Sequence, residues 1–202
     1  MENLYQINKH ESAQAGLVLT EAFRADPVFR AIFEGAAPEQ WVAFFTAPVV
    51  YCLQYGQAIA PSAQMEGIAA WVPGKYADMN FIRMLFSGAM WAGMKMGMEI
   101  AQKLKVVFGP VEQDRKVHMQ GRDYLYLQII GVAPQYQGLG LGGKLLAALF
   151  ADSKQSGLPI YLETETEENV RLYEHLGFSV LNMVTLPLID LPMWEMIREP
   201  AC

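Results

Sequence analysis

Residues 123–146 carry three signals in a fixed order. An apolar run rich in β-branched and aromatic residues, DYLYLQIIGV, is followed by Ala133-Pro134, then by the turn QGLGLGG, then by Lys144-Leu145-Leu146 and an amphipathic stretch. A strand that ends at a proline and passes through glycines into a helix restricts the chain to an α/β layout. It also puts unpaired backbone N–H groups and the positive end of a helix dipole at one spot, a ready site for an anion.

The other elements follow from periodicity. Leu4–Ile7 reads as a first strand, Glu11–Arg24 and Pro38–Tyr55 as helices, and Gly67–Val72 as a strand closed by Pro73-Gly74. Met79–Phe108 is rich in methionine and aromatic residues and reads as one or two helices. Gly109-Pro110 should break it, with a mixed stretch following to Gly121. The last third is predicted as a helix over Gly142–Lys154, a strand over Ile160–Glu163, a helix over Glu168–Leu176 and strands at Phe178–Leu186 and Met193–Arg198. With 202 residues and no repeat or linker, the chain is expected to form a single domain, 1–202, with a cofactor-binding core at about 123–180.

The net charge of −6 argues against nucleic acid or an anionic membrane as the main partner. The longest uncharged apolar run, Met84–Met94, is too short to span a bilayer. Cys52 and Cys202 suggest no disulfide, and His10, His118 and His175 show no ligand spacing, so a reducing cytoplasm and no metal are expected. Neither cysteine is placed as a nucleophile.

The glycine turn satisfies three patterns. Gly138-x-Gly140-x-x-Gly143 fits a dinucleotide fingerprint, with Glu163 where a ribose ligand would be sought, but Ala133–Gln137 separate the strand from its first glycine. Gly138-x4-Gly143-Lys144 fits a P-loop, except that Leu145 stands where a Mg²⁺-binding hydroxyl is needed. Gln137-x-x-Gly140-x-Gly142, preceded by Ile130-Gly131-Val132-Ala133-Pro134, resembles the acyl-CoA signature of the GNAT N-acetyltransferases. Asn169-x3-Tyr173-x3-Gly177-Phe178 is similar to that family's second motif. Within the superfamily, Leu162-Glu163-Thr164, Ala69-Ala70-Trp71 and Met193–Met196 resemble the branch that includes puromycin N-acetyltransferase.

This resemblance implies a mixed, mostly antiparallel sheet flanked by helices, with a splayed strand pair, and transfer of acetyl from acetyl-CoA to a primary amine, expected to be that of a small molecule. It implies that Ile130, Gly131 and Val132 pair with the pantetheine arm, that an amide near Val132 stabilises the oxyanion, and that Gln137, Gly138, Leu139, Gly140, Leu141, Gly142 and Gly143 cradle the diphosphate. It gives Asn169 to the cofactor arm and Tyr173 to protonating the departing thiolate, a task open to a hydroxyl that stays neutral at pH 7. Glu163 is the candidate base, with Glu165 behind it. Gly131 is read as the bulge that splays its strand from Ile160–Glu163 and opens a slot for the thioester, and the methionines as part of the acceptor pocket. Each residue also has a plainer reading: Gly131 as an ordinary buried-strand glycine, Asn169 as a helix cap, Tyr173 as a packing residue, and the methionines as core. A non-catalytic acyl-CoA sensor is the alternative function. An exposed final strand would let two copies pair as a homodimer.

Overall fold

The structure is a computed structural model that describes residues 4–200; Cys202 lies outside them. Seven strands form one sheet in the order β1-β2-β3-β4-β5-β7-β6. They are β1 (Tyr5–Gln6), β2 (Gln57–Ala60), β3 (Gly67–Pro73), β4 (Leu125–Val132), β5 (Ile160–Thr164), β6 (Ser179–Leu186) and β7 (Leu191–Arg198). All neighbours are antiparallel except β4 and β5.

Among the described residues, eight α-helices cover the two faces. α1 (Ser12–Phe23), α2 (Pro27–Ile32), α3 (Pro38–Tyr55), α4 (Phe81–Ser87), α5 (Ala89–Gly93) and α6 (Met98–His118) precede β4. α7 (Leu141–Ser156) and α8 (Glu167–His175) follow it. Alternation along β4 sorts the core: Leu125 and Leu127 join Leu145, Leu149 and Tyr173 under α7 and α8, while Tyr126 points to α1, α3 and α6.

Three differences from the sequence reading have physical causes. β2 was not anticipated, because Ala58, Ile59 and Ala60 are all buried and leave no polar alternation to read. Pro110 does not break α6. The helix runs on to His118, anchored by buried Val107, Val111 and Arg115 on its inner face, and the carbonyl that loses its partner belongs to exposed Val106. The last strand, β7, is paired on both sides, so β6 rather than β7 is the edge. Among the described residues, no helix is long and apolar enough to cross a membrane.

Candidate active site

β4 and β5 pair only at Leu125↔Ile160 and Tyr126↔Tyr161. Beyond Tyr126, β4 keeps β3 on one side and leaves its other backbone edge to a wedge-shaped opening. The register against β3 jumps from Ala70↔Ile129 to Trp71↔Leu127, so the bulged residue is Gln128. Gly131 is therefore not the bulge; it pairs in register with Ile68. Its missing side chain serves close packing, because a Cβ there would meet Ala22 Cβ at 2.9 Å and Phe23 Cε2 at 3.0 Å. Ile130 and Val132 pack on the α7 side of the sheet.

At the wide end of the wedge, Gln137 Nε2 donates to the Val132 carbonyl at 3.0 Å, tying the turn to the strand. Gly138 and Gly140 have φ of +78° and +76° with open space where a side chain would sit. Their role is thus conformational: they turn the chain so that Leu141, Gly142 and Gly143 open α7 with their N–H groups outward. Side chains cap α2, α4 and α8, but no side chain caps α7. Leu139 is exposed.

On the facing side, α8 places Asn169 and Tyr173 one turn apart. The Asn169 amide is capped by Thr166 Oγ1 at 3.2 Å, so the cap at this helix is Thr166 and not the asparagine. Tyr173 is 8 % exposed and packs edge-on against Phe178, with ring centroids 5.3 Å apart. Burial pushes its hydroxyl above the usual tyrosine range, and nearby Glu165 adds to the shift.

The two candidate bases have different surroundings. Glu163 is buried on the α6 side, where Oε1 accepts from Arg115 Nη1 at 3.0 Å. Burial raises its pKa and the guanidinium opposes that rise. Glu165, two residues on, faces the Asp26 carboxylate within hydrogen-bonding reach. Its pKa is raised well above the ordinary carboxylate value, first by burial and then by Asp26. Asp26 is held in place, since its Oδ1 caps α2 by accepting from the amides of Val28 and Phe29 at 2.9 and 3.0 Å. Beside this pair, Glu21, Arg24, Ala25, Arg30, Pro134 and Gln135 line an open cleft of 580 Å³. Cys52 is fully buried, and burial pushes its thiol up, away from nucleophilic character.

Residues 106–180 match the family model described as an acetyltransferase (GNAT) domain. This segment is a GNAT acetyltransferase domain. The GNAT match contains β4, the glycine turn, α7, β5 and α8, the elements that build the wedge. A curated N-acetyltransferase of Schizosaccharomyces pombe, itself uncharacterized, is 29 % identical over 96 % of this chain and 82 % of its own length. The homologues and neighbours carry acetyltransferase names, as does the family model that matches this segment. In fold it resembles the histone acetyltransferase HPA2-related protein of Corynebacterium glutamicum, with a TM-score of 0.67, 19 % identity and 99 % and 97 % of the two chains covered. It also resembles the polyamine N-acetyltransferase of Drosophila melanogaster, with a TM-score of 0.63, 14 % identity and 98 % and 99 % covered.

Asp26, Asp78 and Arg115 were not singled out from sequence. The only local signal for Asp26 is Asp-Pro at a helix start, which reads as a cap. Its meeting with Glu165 is a contact across 139 positions that no spacing rule reveals.

Proposed function

We propose that the whole chain is one domain that transfers an acetyl group from acetyl-CoA to the primary amine of a small molecule. The observation that carries this reading is the parting of β4 from β5 after Tyr126 and Tyr161, with the uncapped start of α7 on one side and Tyr173 and Glu165 on the other. Acetyl-CoA supplies the activated acetyl thioester. The amides of Gln137–Gly143 hold its diphosphate, and the free edge of Ile130–Val132 accepts the amide-rich arm as a partial extra strand. Asn169 lies on the same face of α8 as Tyr173 and fixes the arm.

Glu165, in place of Glu163, removes the acceptor's proton. Glu163 is committed to Arg115, whereas the Glu165 carboxyl has no cation paired to it among the described residues and its pKa is raised by burial and by Asp26, which makes it the stronger proton acceptor of the two. The amine then attacks the thioester carbonyl directly, the Val132 amide stabilises the oxyanion, and the Tyr173 hydroxyl protonates the leaving sulfur. The Drosophila enzyme is described as forming N-acetylagmatine. The cleft beside Asp26 and Glu165 is lined by Glu21 but also by Arg24 and Arg30, so the acidic groups that suit a cationic amine are the Asp26 and Glu165 carboxyls themselves.

Thiol release from acetyl-CoA with agmatine, spermidine and phenylethylamine tests the reading. Tight coenzyme A binding without release across the panel would favour the sensor. Gly140→Ala is expected to weaken coenzyme A binding about tenfold, because a side chain at positive φ costs roughly 1–2 kcal/mol and distorts the cradle. Titration calorimetry reads this directly.

Glu165→Gln is expected to lower kcat about tenfold, with Asp26 still present, and to flatten the acid limb of the pH profile. Its effect on stability has the opposite sign. A carboxyl whose folded pKa is raised costs nothing below the unfolded value, about 4.3, and its penalty grows as pH rises through the folded value. The variant should therefore melt with the parent near pH 4 and above it at pH 8, as followed by circular dichroism.

A further inference from the structure

Between Asp78 and Glu99 the chain runs through 20 residues whose only charges are Arg83 and Lys95. They fold as α4, α5 and the start of α6, yet from 81 to 98 only Ser87 and Ala89 are buried. Phe81, Ile82, Phe86, Trp91, Met94 and Met98 are 60–77 % exposed. Scattered apolar side chains are ordinary on a surface; six in 18 residues on adjoining helices, both packed on α3, are a patch that water disfavours.

We propose that this patch is the interface between two copies of the chain related by a two-fold axis. Its composition is that of an interface core, enriched in Phe, Trp and Met and poor in charge. Aromatic side chains carry ~150–250 Å² each, so the exposed parts of these six sum to roughly 800 Å². That is about the share each partner contributes to a standard interface.

The charges favour a second copy over a lipid surface. Arg83 is turned back on its own subunit, its guanidinium 5.3 Å from the Tyr76 ring centre with Nη1 donating to the Asp78 carbonyl at 3.3 Å. At the patch edge stand Lys95 and Glu99, both exposed, opposite in sign and four residues apart. A two-fold axis brings a patch against itself, so Lys95 of one copy can meet Glu99 of the other. An anionic bilayer needs several free cations and would repel Glu99.

Light scattering coupled to size exclusion over a dilution series is expected to give twice the 22.6 kDa chain mass. Phe86→Ser with Trp91→Ser should raise the dissociation constant roughly 30-fold or more, as the loss of hot-spot side chains does, with an unchanged circular dichroism spectrum. Lys95→Glu should weaken the dimer, and adding Glu99→Lys should restore it. A wild-type monomer at every concentration overturns the proposal. So does a dimer indifferent to the double serine variant, which would place the interface elsewhere. Flotation of a monomeric protein with phosphatidylglycerol vesicles would give the patch to lipid and overturn it equally.

Discussion

Tyr173→Phe lowers kcat about 100-fold or more and leaves the affinity for coenzyme A unchanged. The substitution removes one oxygen and keeps the ring, so the edge-on contact with Phe178 and the packing under α7 persist. What is lost is a proton donor. Because burial and Glu165 hold the Tyr173 pKa above its ordinary value, the hydroxyl is neutral across the working range and can donate to a thiolate as it leaves. Water reaches this position poorly, since the residue is nearly buried, and a missing general acid typically costs 10²–10⁴-fold. Steady-state kinetics with the most active amine of the panel, paired with calorimetry, separate the two outcomes. Full turnover by the Phe variant would reduce Tyr173 to a packing residue.

The alkaline side of the same profile gives a second handle. If Tyr173 is the acid, wild-type activity should hold well past pH 10, where an ordinary tyrosine would already be ionised.

The parts of this molecule legible in the sequence are those governed by neighbouring residues. The β4–turn–α7 unit was readable because a run dense in β-branched and aromatic residues ends at Pro134, glycines follow, and helical spacing starts within a few positions. The α8 motif was readable through its resemblance to the second GNAT motif, and its two residues four apart share a face in any helix. Local rules failed where a long-range contact decides the outcome. A proline normally ends a helix, but buried Val107, Val111 and Arg115 carry α6 past Pro110. A glycine in β4 suggested the bulge, yet the bulge is at Gln128, and Gly131 answers to the close approach of α1.

The division of labour between Glu163 and Glu165 was equally invisible. Alternation along the chain places them on the same side of an ideal strand, and only the tertiary partners, Arg115 for one and Asp26 for the other, separate them.

Removing the guanidinium at position 115 is expected to be the most damaging single change to stability. β5 and β7 set Glu163 directly opposite Glu195, an arrangement that like charges disfavour. α6 answers with two residues three apart: Arg115 reaches Glu163, and His118 Nδ1 lies 2.8 Å from Glu195 Oε2. Arg115 is 6 % exposed, donates also to Asp78 Oδ1 at 3.1 Å, and lies 4.4 Å from the Tyr126 ring centre. Arg115→Ala leaves Glu163 buried without its cation, a loss of about 3–5 kcal/mol, or about 10 °C in Tm for a chain of this size.

The deficit depends on pH with a definite sign. Without Arg115 the folded pKa of Glu163 rises further above its unfolded value, so the penalty is small near pH 4 and grows through neutrality. Arg115→Met with Glu163→Met and Asp78→Asn should recover most of the loss, since a buried ion pair replaced by apolar groups is often neutral. Thermal melts of both variants at pH 4 and pH 8 check the argument. If the same triple variant retains turnover, Glu163 is structural and the base lies elsewhere; if it folds but is inactive, the commitment of Glu163 to Arg115 was not its only role.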